Sequence, residues 1–163
     1  ASGACGENAT WAFYENGELR ISGSGAMTNY TAYTEQPWAN IRHLIKKIVI
    51  GKDITAVGNY AFAYSQNVES LVFEEGSKLE RIGILSFINL PKLKDVVLPE
   101  TVTYLGAYAF GDCFALETLY VPQGVNYIYH SAFNGSSKLV LSVAAGSYAE
   151  KFANEHGIAC TAR

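Results

Sequence analysis

Phenylalanine returns at a nearly constant step along this chain of 163 residues. Phe62, Phe87, Phe110 and Phe133 close the segments GNYAF, GILSF, GAYAF and YHSAF, at spacings of 25, 23 and 23 residues. A period in this range marks a solenoid, in which no unit buries its apolar face except against its neighbours. A second frame repeats in register with the first. Ile45-x-x-Ile48-x-Ile50, Val68-x-x-Leu71-x-Phe73, Leu93-x-x-Val96-x-Leu98 and Leu116-x-x-Leu119-x-Val121 all follow L-x-x-L-x-L. A further apolar pair follows each, at Ile54/Val57, Leu79/Ile82, Val102/Leu105 and Val125/Ile128. The two additional residues of the longest unit fall in EEGSK (74–78), where a loop absorbs them.

Alternation over L-x-L predicts a short strand with its apolar side chains inward, and successive coils stack these strands in parallel about 4.8 Å apart. Ala61, Ser86, Ala109 and Ala132, each just before a Phe, leave room for the neighbouring backbone. Each Phe is then expected to stack on the ring of the next coil. Apolar residues at 49% and charged residues at 17% agree with one folded domain of this kind.

ITAVGNYAF and VTYLGAYAFGDCFALETLYVP resemble the BspA-type leucine-rich repeats of bacterial surface proteins, whose unit reads roughly I-G-x-x-A-F-x-x-C-x-x-L-x-x-I-x-I-P. The opening SGACGENATWAFYENGELRISGSGAMTNY, with Pro37-Trp38, is similar to the cap that precedes such repeats. Asn89 stands where that family has Cys, Tyr129 where it has Gly, and Thr101 and Gly124 where typical leucine-rich repeats carry an asparagine ladder. The resemblance implies an α/β, right-handed leucine-rich-repeat solenoid. It also implies display outside the cell and adhesion to a protein partner, such as a host matrix, plasma or other cell-surface protein.

The whole chain reads as a single domain: a β cap over 1–40, about four repeats over 41–138, and a strand and helix over 139–163. In the first cap, Thr10–Tyr14 and Leu19–Ser22 flank Asn16-Gly17, which predicts a hairpin closed by a type I′ turn, with Trp11 or Phe13 covering the first coil. At the far end, Ser147 and Glu150 form a capping box, Ala149 and Phe152 share a helix face, and Gly157 ends the helix. The first residues, ASGACGENATW, have neither the charged nor the apolar region of an export signal, and the abrupt start reads as that of a fragment.

The net charge of −3 lacks the basic face that nucleic acid requires. No apolar run approaches the 18–20 or so residues that span a bilayer. His43, His130 and His156 have no metal-ligand spacing, and no cofactor, metal or catalytic set is expected. Cys113 holds a recurrent repeat position and reads as a small buried hydrophobe. Cys5 and Cys160 sit toward opposite ends of about five coils, more than about 20 Å apart, so they read as free thiols.

Binding capacity is expected at the outward positions of the strands. Lys47, Ser70, Asp95 and Thr118 precede the first apolar residue of each L-x-L step. Val49, Val72, Val97 and Tyr120 lie within it, an apolar column that either reflects β-propensity or forms a partner-binding strip. The tyrosines near the turns (Tyr60, Tyr64, Tyr108, Tyr127, Tyr129) offer stacking area for protein or carbohydrate, or fill the corners of the coils. A passive spacer, and an accessory module of a polymer-degrading enzyme that binds through exposed tyrosines or Trp38, are the rival readings. The coil assignment has a direct test. Phe110→Ala is expected to cost about 3–5 kcal/mol in chemical denaturation as a large-to-small core change, and a neutral result places Phe110 outside the interior.

Overall fold

The computed structural model describes residues 1–163. A first group of strands, β1 (Ser2–Ala4), β2 (Ala9–Phe13), β3 (Glu18–Gly23) and β4 (Gly25–Ala26), forms the cap. Each coil then supplies a front strand and a short back strand: β5 (Lys47–Ile50) and β6 (Ile54–Val57), β7 (Ser70–Phe73) and β8 (Arg81–Ile82), β9 (Asp95–Val97) and β10 (Tyr104–Leu105), β11 (Thr118–Val121) and β12 (Tyr127–Ile128). The last front strand, β13 (Val140–Val143), leads into α1 (Tyr148–His156) and β14 (Ala159–Ala162). The chain is thus a solenoid of about five turns with one α-helix near its end.

The front strands pair in parallel, and their middle apolar residues fall in line: Ile48 beside Leu71, and Val96 beside Leu119 beside Leu141. The back strands β4, β6, β8, β10 and β12 form a second parallel sheet. Between the sheets runs one apolar core that includes all four phenylalanines of the repeat. Phe62, Phe87 and Phe110 stack at centroid distances of 5.3 and 5.1 Å, with ring planes within 12° of parallel. The column continues into the cap through Trp38, stacked 5.4 Å from Phe62. It ends before Phe133, which meets Phe152 of α1 edge-on at 6.2 Å instead. Helix packing therefore replaces ring stacking at that end.

The corner that carries each Phe forms a third row of hydrogen bonds between coils. Tyr60, Phe62 and Tyr64 donate their N–H groups to the carbonyls of Ile84, Ser86 and Ile88, and Leu85, Phe87 and Asn89 donate to those of Ala107, Ala109 and Gly111. All donors face the following coil and all acceptors the preceding one. This needs a backbone that turns left-handed two residues before and two after the Phe, as Tyr60/Tyr64, Leu85/Asn89 and Tyr108/Asp112 do with φ of 50–63°. Such a conformation costs a side-chain-bearing residue about 1–2 kcal/mol, which the inter-coil bonds and ring stacking offset.

A row with one polarity leaves a line of carbonyls open at its first coil, and the cap closes it. Tyr30 N–H donates to Asn59, Trp38 Nε1–H to Ala61 at 3.1 Å, and Gln36 Nε2–H to Tyr60 and Ala63 at 2.6 and 3.2 Å. Arg42 donates to Gln36 Oε1 and so fixes which way the amide points. Gln36-Pro37-Trp38 is therefore a donor clamp, and Trp38, a ligand contact only in the rival reading of an enzyme accessory, is fully buried.

Three details of the caps depart from the sequence reading. The first hairpin closes through Tyr14–Gly17 with only Gly17 at positive φ, a type I turn followed by a bulge rather than the expected type I′ turn, which needs two positive φ values. The first cap is also half a coil already, because β3 and β4 pair in parallel with β5 and β6. At the far end the capping box forms, with Ser147 Oγ accepting from Glu150 N–H at 3.2 Å. The chain then returns after Gly157 as β14, parallel to β13, a strand absent from the sequence reading. Gln36→Leu, which keeps the apolar stem but removes the donors, is expected to lower stability by about 1–3 kcal/mol by stranding buried carbonyls, measured by urea titration.

Candidate functional site

The front face is not one sheet. Hydrogen bonding runs β1–β2–β3–β5–β7 and, separately, β9–β11–β13–β14. No ladder joins β7 to β9, although their Cα atoms come within 8 Å. The step between these two strands is the one lengthened by two residues, from Leu71 to Val96, and the surplus sits in the loop Glu74–Lys78. Elsewhere the same two coils remain joined: Phe62 and Phe87 stack, and β6 pairs with β8. The break in hydrogen bonding is confined to the front.

Side chains at its two lips point away from each other. Glu74 is tied toward the cap, accepting from Arg20 at 3.0 Å and from Lys52 N–H at 3.2 Å. Glu100 is tied toward the last coils, accepting from the Tyr120 hydroxyl at 2.7 Å. That carboxylate holds the Tyr120 phenol above its ordinary pKa. Arg163, just after β14, reaches back over Ser142 and lies 4.0 Å from the Tyr120 ring.

Strand geometry identifies the backbone groups left open. Glu74 N–H bonds Ile50 in β5, and Leu98 N–H bonds Tyr120 in β11. Because alternate residues of a parallel strand address opposite neighbours, Leu71 and Phe73 on one side, and Asp95 and Val97 on the other, turn their N–H and C=O groups into the seam. The interior feels the gap. Leu71 and Val96 are 6% and 3% accessible, where Ile48, Leu119 and Leu141 in the same row are fully buried.

A groove of about 690 Å³ follows the seam, with Val72, Val97, Tyr120, Asp95, Glu75 and Glu100 among its walls. Val97 is 67% exposed and Val72 39%, an unusual position for β-branched side chains beside one another on an otherwise polar face. Of the eight outward residues expected to bind, Ser70, Val72, Asp95, Val97 and Tyr120 line this groove. Lys47 and Thr118 stand exposed on the same face, away from it. Val49 is a correction: it is only 3% accessible. It sits in register between Arg20 and Val72, and the Arg20–Glu74 pair, which joins β3 to the end of β7, passes over it. Glu74, Glu75, Glu100 and Arg163 are wall residues that the repeat pattern does not single out, since they lie in the loops between strands and beyond the last helix.

The tyrosines at the corners serve the fold. Tyr60, Tyr64 and Tyr108 hold left-handed positions. Tyr127 stacks on Tyr104 at 5.3 Å, and Arg81 covers the other end of that pair at 3.9 Å, while Tyr64, Tyr108 and Tyr129 stay partly exposed at the corners. The cysteines are free, and burial pushes the Cys5 thiol up to about 12 and the Cys113 thiol up to about 11, which keeps both protonated and unreactive at neutral pH. No three His, Cys, Asp or Glu side chains gather where they would hold a metal ion, and no helix is long and apolar enough to cross a membrane.

The open seam makes a measurable difference before any partner is considered. The amides of Leu71, Phe73, Asp95 and Val97 are expected to exchange with solvent faster than those of Leu119 and Val121 in native-state hydrogen exchange, and equal protection would mean that the front sheet is continuous.

The same structure recurs among bacterial proteins. It superposes on a leucine-rich repeat protein from Eubacterium ventriosum with a TM-score of 0.68 at 21% identity, covering 89% of this chain and 45% of the other. A leucine-rich repeat protein of T. pallidum gives 0.60 at 17% identity over 81% of this chain and 67% of its own. The pneumococcal vaccine antigen PcpA gives 0.52 at 16% identity over 88% and 51%. The chain thus spans less than half of the Eubacterium protein. No curated protein matches its sequence. Residues 37–149 match the model of the BspA-type leucine-rich repeat region in six copies, and the chain belongs to that family.

Proposed function

We propose that this domain is a non-enzymatic protein-binding module of a bacterial surface or secreted leucine-rich repeat protein, and that the groove between β7 and β9 is where it meets its partner. One observation carries the reading: Val97, Val72 and Tyr120 form an apolar strip on the open face of a sheet, directly over a break in its hydrogen bonding. Contiguous exposed apolar surface marks interaction sites, and solenoids bind along such extended faces. The likeness to a pneumococcal vaccine antigen supports display at a bacterial surface. A host matrix, plasma or other cell-surface protein is the partner class that fits display of this kind. Carbohydrate fits this groove less well, since its one tyrosine ring, Tyr120, is already covered by Arg163.

The test is a binding panel of matrix glycoproteins, plasma proteins and polysaccharides, run on the domain and on Val97→Glu. Val97 is so exposed that the variant is expected to melt within a few degrees of the parent. Saturable binding to one protein, weakened about tenfold or more in the variant, is the expected outcome. Binding that ignores the variant moves the site elsewhere, and silence across the panel leaves a spacer as the better description.

A further inference from the structure

Resting on that reading, the geometry points to the kind of segment the groove accepts: we infer that it holds an extended, cationic stretch of another polypeptide, with Lys or Arg alternating with β-branched residues. Three features of the seam converge on this chemistry. The first is charge. Glu75, Asp95 and Glu100 border the groove, and none of them has an ion-pair partner; the single cation among the walls, Arg163, is stacked on Tyr120 and bonded to Ser142. Glu74 at the rim is already held by Arg20. The walls therefore carry three unpaired carboxylates and repel an acidic guest.

The second feature is shape. Val72 and Val97 project from facing strands and Tyr120 from the next one, so their spacing is that of a β-sheet surface. Every second side chain of an extended segment meets such a surface, and aliphatic side chains fill the space between the two valines. The third is the backbone. The N–H and C=O groups of Leu71, Phe73, Asp95 and Val97 have no partner across the seam, and a polypeptide lying over the gap shields them from solvent and offers polar groups to them from above. The two strands are closer than the roughly 9.6 Å that a fully inserted strand requires. The guest therefore lies in the groove over the seam rather than within the sheet.

The experiment uses the whole domain and an acetylated, fluorescent peptide of alternating Lys and Val, about seven residues long, with a Glu-Val peptide of the same length as control. The Lys-Val peptide is expected to bind saturably and to weaken as salt is raised, while the Glu-Val peptide does not bind. Glu75→Lys and Val97→Lys, both at exposed positions, are each expected to weaken binding about tenfold or more with thermal melts unchanged. On binding, exchange at the Leu71, Phe73, Asp95 and Val97 amides is expected to slow. Equal binding of both peptides, or full affinity in both variants, overturns the inference, as does protection that appears at amides elsewhere. If the Lys-Val peptide fails but a protein of the panel still binds and is lost in Val97→Glu, the groove remains a binding site and only this account of its ligand falls. If neither binds, both fall together.

Discussion

A single coil of this molecule cannot fold, because its Phe, its L-x-L residues and its corner carbonyls are satisfied only by the coil beside it. The ring column from Trp38 through Phe62 and Phe87 to Phe110 is the clearest form of that dependence. Each buried ring is worth about 1.5–3 kcal/mol of removed apolar surface, and its stacking sets the rise between coils at the corner. That rise brings the corner N–H groups onto the carbonyls of the next coil. The left-handed turns at Tyr60, Leu85 and Tyr108 are tolerated because both neighbours over-determine them.

Such an arrangement has ends, and the two are treated differently. At the start the problem is polar as well as apolar: open carbonyls are met by Tyr30, Gln36 and Trp38, and the apolar face by Trp11 and Trp38, whose rings meet edge-on at 5.7 Å. At the finish the apolar face is met by Phe152 and Ala149 of α1, and β14 then extends the sheet by one more strand. That last strand brings Arg163 to Tyr120, so the end cap also shapes one wall of the groove.

Two surplus residues between β7 and β8 accompany the one break in the front ladder. A coil with a longer perimeter can keep its corner and its back strand in step with its neighbours, or its front strand, but not all three. Stacking of Phe62 on Phe87 and pairing of β6 with β8 hold the corner and the back, and the front yields. Glu74 drawn to Arg20 and Glu100 drawn to Tyr120 keep the lips apart. The break in an otherwise regular ladder coincides with the longer loop, and the exposed valines and the carboxylates without ion-pair partners border it.

Much of this was legible in the order of residues, because a solenoid is built from local, repeated choices. The period of Phe, the L-x-x-L-x-L frame, the capping box at Ser147 and the outward positions of Val72, Asp95 and Val97 all follow from periodicity and from the geometry of single strands. The insertion at EEGSK was visible too, but a loop that absorbs two residues looks harmless in one dimension. Whether the coils accommodate it by bulging or by parting depends on the relative strength of three inter-coil contacts, which only the assembled coils settle. For the same reason Val49 and Val97, equivalent in the repeat, differ in exposure: Arg20 and Glu74, 54 residues apart in the chain, meet over one and not over the other. The sequence alone determined the solenoid, the capping box of its last helix and which strand positions turn outward. Tertiary structure decided where the front face opens, which of those side chains stay exposed and which charges remain unpaired, because each of these is a competition between distant contacts.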